Sequence, residues 1–264
     1  MSSESESTYK LEQMFTELIG QLRENLQKHT DPKTKAWWEN YVQGSAPFMG
    51  VKMGLIRREL HQWYETQVTG RVAPDQQLDL ALALFSGEHT EEKLAGTLFI
   101  QEILLPAGLV ACPRDVDRFG ALFDDGLIYD WNVCDWFCVK VLGPLIEKEG
   151  RACADAIAQW REAENLWRAR AALVAFVPVA EDSGYYAAIA ASCAVLIRRE
   201  ERFAKTAVGW ILREISRNDE TFVRQVLDQN IRHFSLESLK NATKYFSKES
   251  RVYYRELHKH SSPT

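Results

Sequence analysis

An aspartate sits in a segment that is otherwise almost free of charge. From Trp131 to Ile146 the charged side chains are Asp135 and Lys140, so we predict a helix that is buried on most sides. A carboxylate there is costly unless it is paired or faces a site where it has a function. Trp131 lies four residues before Asp135, which places both on one helix face. The pattern fits either a structural bridge to a neighbouring helix or a functional carboxylate beside an aromatic ring.

An arginine interrupts a second apolar stripe. Leu166, Leu173 and Val174 surround Arg170 at helical spacing. Such an arginine extends to solvent, pairs with a carboxylate or contacts a phosphate. Two interpretations fit the spacing equally well: a salt bridge between Arg170 and Asp135, and a clamp for a phosphate.

A third segment, residues 203–215, places a tryptophan away from its apolar stripe. At about 100° per residue, Trp210 lies on the order of 110° from the centre of that stripe, in the company of Thr206 and Arg213. The ring either packs against a neighbouring repeat or lines a site. Together the three segments predict an aromatic-lined, partly charged site formed by three helices. The stripe itself consists of Phe203, Ala207, Val208, Ile211, Leu212 and Ile215.

The scaffold that positions these segments is predicted to be all-α. Apolar residues between Leu11 and Leu26 follow helical spacing, and Asp31-Pro32 supplies a cap and a first-turn proline for the next helix. No alternating apolar runs flank a turn signal, so we predict no strands. Brief polar breaks join many short helices, which is typical of a curved solenoid of stacked antiparallel helix pairs. We expect one domain over residues 9–258, with disordered tails at residues 1–8 and 259–264.

The composition indicates a soluble globular protein. The chain has 264 residues, of which 46% are hydrophobic and 26% charged. No apolar run approaches the roughly 20 residues of a membrane span, and the polar, acidic N-terminus does not resemble a secretory signal. We therefore expect an intracellular protein, cytoplasmic if the host is bacterial and nuclear if it is eukaryotic.

The cysteines are predicted to be buried, reduced side chains. Their number is odd and no Cys-x-x-Cys occurs, so neither a disulfide framework nor a zinc site is indicated. We expect no metal and no cofactor. The five are Cys112, Cys134, Cys138, Cys153 and Cys193.

The charge is unevenly distributed along the chain. The net charge is −5, which argues mildly against a nucleic-acid partner. From residue 197 onward, however, fourteen Lys and Arg face nine Asp and Glu. This last quarter can form a local positive surface on an acidic protein.

Four motifs, in order, resemble the DNA alkylation repair family, the AlkC and AlkD type of HEAT-like repeat DNA glycosylases, with the AlkD type closest. The resemblance covers roughly residues 14–246, and its last motif is the most specific. The motifs are Tyr41 to Arg57, similar to Tyr…Phe-x-Gly-Val-x-x-Pro-x-x-Arg; Trp131-Asn132-Val133-Cys134-Asp135, similar to Trp-x-x-x-Asp; Trp167 to Ala172, similar to Trp-x-x-Arg-Ala-Ala; and Lys205 to Glu214, similar to Lys-Ala-x-Gly-Trp-x-Leu-Arg-Glu.

The resemblance implies a monomeric enzyme that excises cationic N3- and N7-alkylpurines, such as 3-methyladenine and 7-methylguanine, from duplex DNA in base excision repair. Such an enzyme would hydrolyse the N-glycosidic bond between the base and the sugar. Asp135 would stabilise the cationic sugar and position the attacking water. Trp131 and Trp210 would form an aromatic cradle, and Arg170 would hold a phosphate near the lesion.

The resemblance also implies contacts with the DNA outside the reacting centre. Tyr41 would close over the site, and Lys205 and Arg213 would contact the DNA backbone. Gly54 stands where the family has a proline. The loss of this proline is expected to affect the rigidity of the N-terminal segment more than its chemistry. Two alternatives stay open: a DNA-structure binder without catalysis on the same scaffold, and a helical protein-interaction scaffold, which the acidic net charge favours.

Overall fold

A computed structural model of the chain describes residues 3–261, with the side chains of residue 6 and residues 8–261. The described residues form helices joined by turns, without a strand, so the predicted all-α class is confirmed. Of the two predicted tails, residues 1, 2 and 262–264 lie outside the described residues. Residues 3–8 and 259–261 belong to the first and last helices.

The helices group into two compact units, the first ending at Val110 and the second beginning at Ala111. The single domain over residues 9–258 stays a prediction. In the described part of the chain, no helix is both long and apolar enough to cross a membrane. Unit 1 contains α1 (Ser3–Gln27), α2 (Pro32–Tyr41), α3 (Met53–Trp63), α4 (Gln77–Ala83) and α5 (Thr90–Phe99). Unit 2 contains α6 (Val116–Asp124), α7 (Trp131–Phe137), α8 (Gly143–Glu149), α9 (Arg151–Ala158), α10 (Leu166–Val174), α11 (Tyr186–Leu196), α12 (Arg202–Ile215), α13 (Glu220–Asn230), α14 (Leu236–Ala242) and α15 (Lys248–Ser261).

The first two helices of unit 1 follow the sequence pattern closely. Leu18, Leu22 and Leu26 of α1 are fully buried, as their spacing predicts. Asp31 caps α2 by accepting a hydrogen bond from the Thr34 amide at 2.9 Å, and a proline occupies the first turn. The capping prediction is therefore confirmed.

Helix α5 is the centre of unit 1, because every one of its residues is buried. It packs against α3 and α4, and α3 packs in turn against α1. The indole of Trp63, at the end of α3, donates to the Leu18 carbonyl at 2.9 Å and lies edge-on to Phe99. A buried indole N–H with a partner avoids the cost of an unsatisfied donor.

Seven of the α-helices described in unit 2 form two rows. One row runs α7, α10, α12 and α14, each helix packed on the next. The other runs α9, α11 and α13, and α10 and α12 of the first row pack against α11 and α13 of the second. Rows of this kind are what stacked helix pairs produce, since each pair buries its apolar face against its neighbours.

The structure corrects the prediction for two of the five cysteines. Cys112 and Cys153, 41 residues apart in sequence, are joined by a disulfide in unit 2. All five cysteines are buried, as predicted, and Cys134, Cys138 and Cys193 are free thiols. The sequence gives no sign of this disulfide, because Cys112 and Cys153 belong to no spacing motif. The packing of unit 2 brings the two residues together.

Candidate functional site

The carboxylate of Asp135 is held on a helix whose start is well defined. Asp130 caps α7 and accepts hydrogen bonds from the Asn132 and Val133 amides at 2.8 and 3.2 Å. Such a cap satisfies the amides that a first turn leaves unpaired. Trp131 and Asp135 then lie one turn apart on the same face of α7, and both are partly exposed.

The helix after Asp135 departs from regular α geometry. A π-helical turn, Cys138–Leu142, follows α7 directly, and α8 continues from it. Wide turns of this type frequently occur beside functional sites. The predicted apolar helix from Trp131 to Ile146 is thus continuous but changes its winding one turn after Asp135.

Asp135 and Arg170 form a two-point salt bridge between α7 and α10. Nε of Arg170 donates to Oδ1 at 2.8 Å, and Nη2 donates to Oδ2 at 2.9 Å. The arginine side chain is 5% exposed and the aspartate side chain 15% exposed. The carboxylate is therefore fixed in orientation by the guanidinium and still presents an edge to solvent.

Arg170 also reaches the third helix of the site. Its Nη1 donates to the Phe203 carbonyl at 2.7 Å and to Oγ1 of Thr206 at 3.2 Å, both on α12. Four of the five N–H groups of the guanidinium thus have protein partners. Burial opposes the charge of Arg170, but the Asp135 carboxylate outweighs burial and raises the pKa of the guanidinium.

These contacts bear on the two interpretations of Arg170 that the spacing left open, the salt bridge with Asp135 and the phosphate clamp. The salt bridge with Asp135 is present, and the guanidinium has one N–H left for a further acceptor. Contact between Arg170 and a phosphate stays a prediction. In this arrangement the arginine positions the aspartate and ties α7, α10 and α12 together.

Trp210 lies beside this junction rather than in the core. It follows Thr206 by one helical turn and is partly exposed, whereas the apolar stripe of α12 is buried apart from Phe203. The partial exposure of Trp210 agrees with its predicted position away from the apolar stripe. The structure brings Asp135, Arg170 and Thr206 into direct contact, with one tryptophan a turn away along each of α7 and α12.

The glycine before Trp210 allows α12 and α14 to approach closely. A Cβ added at Gly209 would lie 2.7 Å from the Ser238 carbonyl oxygen and 2.9 Å from its Cα. Both atoms belong to the backbone and cannot move without shifting α14. The glycine of the Gly-Trp pair thus has a physical reason, because it sets the spacing between α12 and α14.

Gly209→Ala is expected to lower the free energy of unfolding by about 1–3 kcal/mol, because the methyl group overpacks the α12–α14 contact. Gly54→Ala is the matched control, since Gly54 also lies in a helix, in the first turn of α3, with no atom near an added Cβ. It is expected to raise stability by about 0.5–1 kcal/mol. Urea denaturation of both variants measures the two shifts. Shifts of the same sign would contradict the assignment of Gly209 to close packing.

The predicted DNA-contacting side chains of α12 already have protein partners. Nζ of Lys205 donates to the His233 carbonyl at 3.0 Å. Arg213 donates through Nε to Glu214 at 2.8 Å and through Nη1 to Asn241 at 3.3 Å. Both side chains are partly exposed and keep further N–H donors, and contact with a DNA backbone stays a prediction.

Tyr41 lies at the end of α2 in unit 1 and is 51% exposed. Its ring stacks on that of Trp37, with centroids 5.2 Å apart and planes 8° apart. Trp37 is 57% exposed and was not singled out by the sequence. The sequence did offer a signal for Trp37, because a residue four positions before Tyr41 lies on the same face of a helix. That Tyr41 closes over the Asp135 site stays a prediction.

Two further polar residues of the site were missed by sequence reasoning. Asn165 caps α10, accepting from the Trp167 and Arg168 amides at 2.9 and 3.0 Å, and so sets the register that aims Arg170 at Asp135. Thr206 was noted beside Trp210 but not as a partner of Arg170. An asparagine directly before an apolar helical run was a readable capping signal for Asn165.

The free thiols of unit 2 are buried. Burial raises the pKa of Cys134 well above its ordinary value, and burial likewise raises the pKa of Cys193. A thiol is nucleophilic as its thiolate, which burial disfavours. Among the described residues, no group of three or more His, Cys, Asp and Glu is arranged to hold a metal ion.

The protein is thus of the all-α class, with the Asp135 carboxylate of α7 held by Arg170 of α10, which also contacts α12. Comparison with known proteins then gives its family: the DNA alkylation repair enzyme family model matches residues 22–246, so the chain belongs to that family. This membership supports a role in the repair of alkylated DNA. No curated protein sequence matches the chain.

A solved structure shares the fold. It is described as a predicted DNA alkylation repair enzyme from Enterococcus faecalis, and it superposes with a TM-score of 0.69. The match covers 83% of this chain and 98% of the other, at 18% identity. At that identity the likeness concerns the fold alone.

Proposed function

We propose that the protein is a DNA glycosylase that removes cationic N3- and N7-alkylpurines, of the 3-methyladenine and 7-methylguanine type, from duplex DNA as an intracellular monomer. The observation that carries the proposal is the Asp135 carboxylate, fixed by Arg170 at two points and still 15% exposed. A carboxylate needed only for packing gains nothing from an open edge. Membership of the DNA alkylation repair family supports the same direction.

The chemistry needs little more than one placed negative charge. An N3- or N7-alkylated purine is cationic, and when the bond from the sugar C1′ to the base nitrogen breaks, the bond electrons stay on the base and neutralise it. The base therefore leaves without protonation by a general acid. Positive charge develops on the sugar, and a preorganised carboxylate stabilises it. One aspartate is enough, in contrast to the carboxylate pair of most sugar hydrolases.

The second role of Asp135 is toward the water that completes the reaction. Each carboxylate oxygen accepts one hydrogen bond from Arg170 and keeps a further lone pair. An accepting oxygen beside C1′ orients a water molecule through one O–H, and the water oxygen forms the new bond to C1′. The proton that the water loses passes to the carboxylate or to solvent.

The tryptophans supply the remaining stabilisation in this proposal. Electron-rich faces of indole rings attract cations, and both the alkylated base and the developing sugar cation are positively charged. Trp131 and Trp210 are partly exposed on the helices that carry Asp135 and the Thr206 contact of Arg170. Tyr41, Lys205 and Arg213 are proposed to hold the flanking DNA, and Arg170 is proposed chiefly to position Asp135.

The experiment that tests the proposal is base release from a methylated duplex, with the products separated by chromatography and identified by mass. With enzyme in excess, the wild-type protein is expected to release 3-methyladenine or 7-methylguanine faster than spontaneous depurination of the same duplex. An unmethylated duplex is the control substrate. Release at the spontaneous rate, with duplex binding intact, would contradict the proposal.

A second candidate function is a DNA-structure binder without catalysis. The observation that favours it is the salt bridge itself, because both oxygens of Asp135 already accept a hydrogen bond from Arg170 and the carboxylate thereby has a structural role. Such a protein would bind methylated and unmethylated duplexes and release no base. If no DNA affinity is found even at low salt, where phosphate contacts are strongest, a protein-interaction scaffold would replace both candidates.

A further inference from the structure

The last two helices of unit 2 enclose a groove with an unusual combination of side chains. The groove between α14 and α15 has a volume of about 480 Å³ and a mostly apolar lining. Leu236 and Val252, which contribute to that lining, are 63% and 41% exposed. In the described part of the chain they are the exposed large aliphatic side chains, since every other exposed large hydrophobic residue is aromatic.

The rim of the groove carries four cations without a direct hydrogen bond or salt bridge to any described residue, although Glu249 and Glu256 of α15 lie near enough to Arg251 and Arg255 to interact with their charges. Among the described residues, six lysines and arginines make no side-chain hydrogen bond, salt bridge or aromatic contact, and four of the six line this one groove. Most other cations of the chain have an acidic or carbonyl partner. The six are Lys33, Lys52, Lys240, Lys248, Arg251 and Arg255, of which the last four line the groove.

The groove is preformed, because an adjoining face of α15 is anchored to α13. Tyr254 is 1% exposed, and its hydroxyl donates to Asp228 of α13 at 3.0 Å. Arg224 of α13 lies over the same ring, with its guanidinium carbon 5.7 Å from the centroid. Arg251 and Arg255, three residues before Tyr254 and one after it, are both exposed. The cations thus stand on a fixed helix.

We propose that this groove binds an acidic amphipathic segment of a partner protein, whose apolar side chains pack on Leu236 and Val252 while its carboxylates pair with Lys240, Lys248, Arg251 and Arg255. Charge complementarity and the apolar lining together select this occupant, since helix-in-groove binding uses both kinds of contact. Helix α15 follows the segment that the family model matches, which ends at residue 246. The half of the groove that α15 contributes therefore lies outside the matched segment, and the function proposed for the groove does not depend on the proposed glycosylase activity.

Two other polyanions fit the groove less well. DNA phosphates would pair with the cations but would leave the exposed leucine and valine without an apolar partner. A bilayer reaches side chains that protrude from a convex surface, whereas this lining belongs to a groove. An acidic amphipathic segment satisfies both the rim and the lining.

The test is a selection from a random twelve-residue peptide display library on the immobilised full-length chain, followed by anisotropy measurements with the enriched peptides. Enriched peptides are expected to combine carboxylates with apolar residues at helical spacing. Arg251→Glu/Arg255→Glu and Leu236→Gln/Val252→Gln are each expected to weaken their binding at least about tenfold. The matched control is Lys33→Glu/Lys52→Glu, which reverses two charges elsewhere that also lack a side-chain hydrogen bond and a salt bridge to the residues that the structure describes, and it is expected to leave the affinity unchanged. Circular dichroism and thermal melting confirm that each variant is folded.

Several outcomes would overturn the proposal. They are the absence of enriched peptides, equal binding by the groove variants, and loss of affinity in the charge variant alone. The same variants are then measured with an unmethylated duplex and with anionic lipid vesicles. Weakened binding of either polyanion in place of the peptides would reassign the groove to that polyanion. Self-association in sedimentation that the groove variants abolish would reassign it to a second copy of the chain.

Discussion

Asp135→Asn is expected to lower the single-turnover rate of base release by at least about 100-fold while duplex affinity stays within about threefold of wild type. The asparagine keeps the shape of the side chain and one acceptor for Arg170, but it removes the negative charge. Removal of one preorganised electrostatic group from an active site typically costs about 10²–10³ in rate. Rates of methylpurine release with enzyme in excess, beside equilibrium binding of the same duplex, measure both quantities.

The same substitution also affects stability, so the chemical effect needs a matched variant. Asp135→Asn leaves the buried Arg170 without its counter-charge, which is expected to cost about 3 kcal/mol. Arg170→Gln breaks the same salt bridge from the other side and leaves the carboxylate in place. It is expected to destabilise the fold by a similar amount and to lower the rate about tenfold, through loss of orientation.

The comparison separates a catalytic from a structural aspartate. If Asp135 serves only to hold α7 against α10, the two variants will lose rate in proportion to their loss of stability. A much larger loss of rate in Asp135→Asn, measured at a temperature where both variants are folded, assigns the carboxylate to the chemistry. Unchanged base release in that variant would remove Asp135 from the mechanism and leave the activity, if present, without its proposed centre.

The site illustrates which parts of a protein its sequence reveals. The apolar surroundings of Asp135 and Arg170 marked both as unusual, because charge inside an apolar stripe is costly and therefore informative. Their pairing could only be offered as one of two alternatives. They are 35 residues apart, and the distance between them depends on how α10 is capped and packed. Asn165, which caps α10, could be read from the sequence as a capping residue, but not as one that places Arg170 opposite Asp135.

Unit 1 shows the opposite case, in which the sequence pattern conceals a buried polar centre. The run His89 to Lys93 has the composition of a solvated helix start, yet residues 90–93 are all buried. Glu92 pairs with Arg23 at 2.7 Å, and Nζ of Lys93 donates to the Phe85 carbonyl at 2.5 Å. Each partner comes from a different part of unit 1, so periodicity within the run carries no trace of them.

The most consequential member of that run is Glu91. Its Oε2 accepts a hydrogen bond from the Met49 amide at 2.9 Å, and its Oε1 accepts from the Gly50 and Val51 amides at 2.8 and 2.9 Å. Three successive amides converge on one carboxylate because Gly50 has a φ of +94°, a conformation that favours glycine. A Cβ there would lie 2.5 Å from the Asp31 carbonyl oxygen. The Phe-Met-Gly-Val segment is therefore a binding loop for a buried glutamate of its own unit.

Glu91→Gln is expected to lower the free energy of unfolding by about 2–3 kcal/mol. The amide oxygen of glutamine can still accept from Gly50 and Val51, but its NH₂ group then faces the N–H of Met49. A buried amide left without an acceptor costs about 1–3 kcal/mol, and the two remaining hydrogen bonds lose the strengthening that an ionised acceptor gives. Urea denaturation measures the loss. Glu88→Gln, which changes an exposed glutamate three residues away, is the control and is expected to shift stability by less than about 0.5 kcal/mol.

A local readout distinguishes this mechanism from general weakening of unit 1. In hydrogen–deuterium exchange, a peptide that spans Met49 to Val51 is expected to lose most of its protection in Glu91→Gln. The amides of α1 around Leu22 and Leu26, which are buried in the same unit, serve as the reference. Their exchange rates are expected to change only as much as the loss of global stability predicts. Because exchange of an amide follows the free energy of the opening that exposes it, equal changes in both peptides would mean that Glu91 stabilises the unit as a whole rather than this loop.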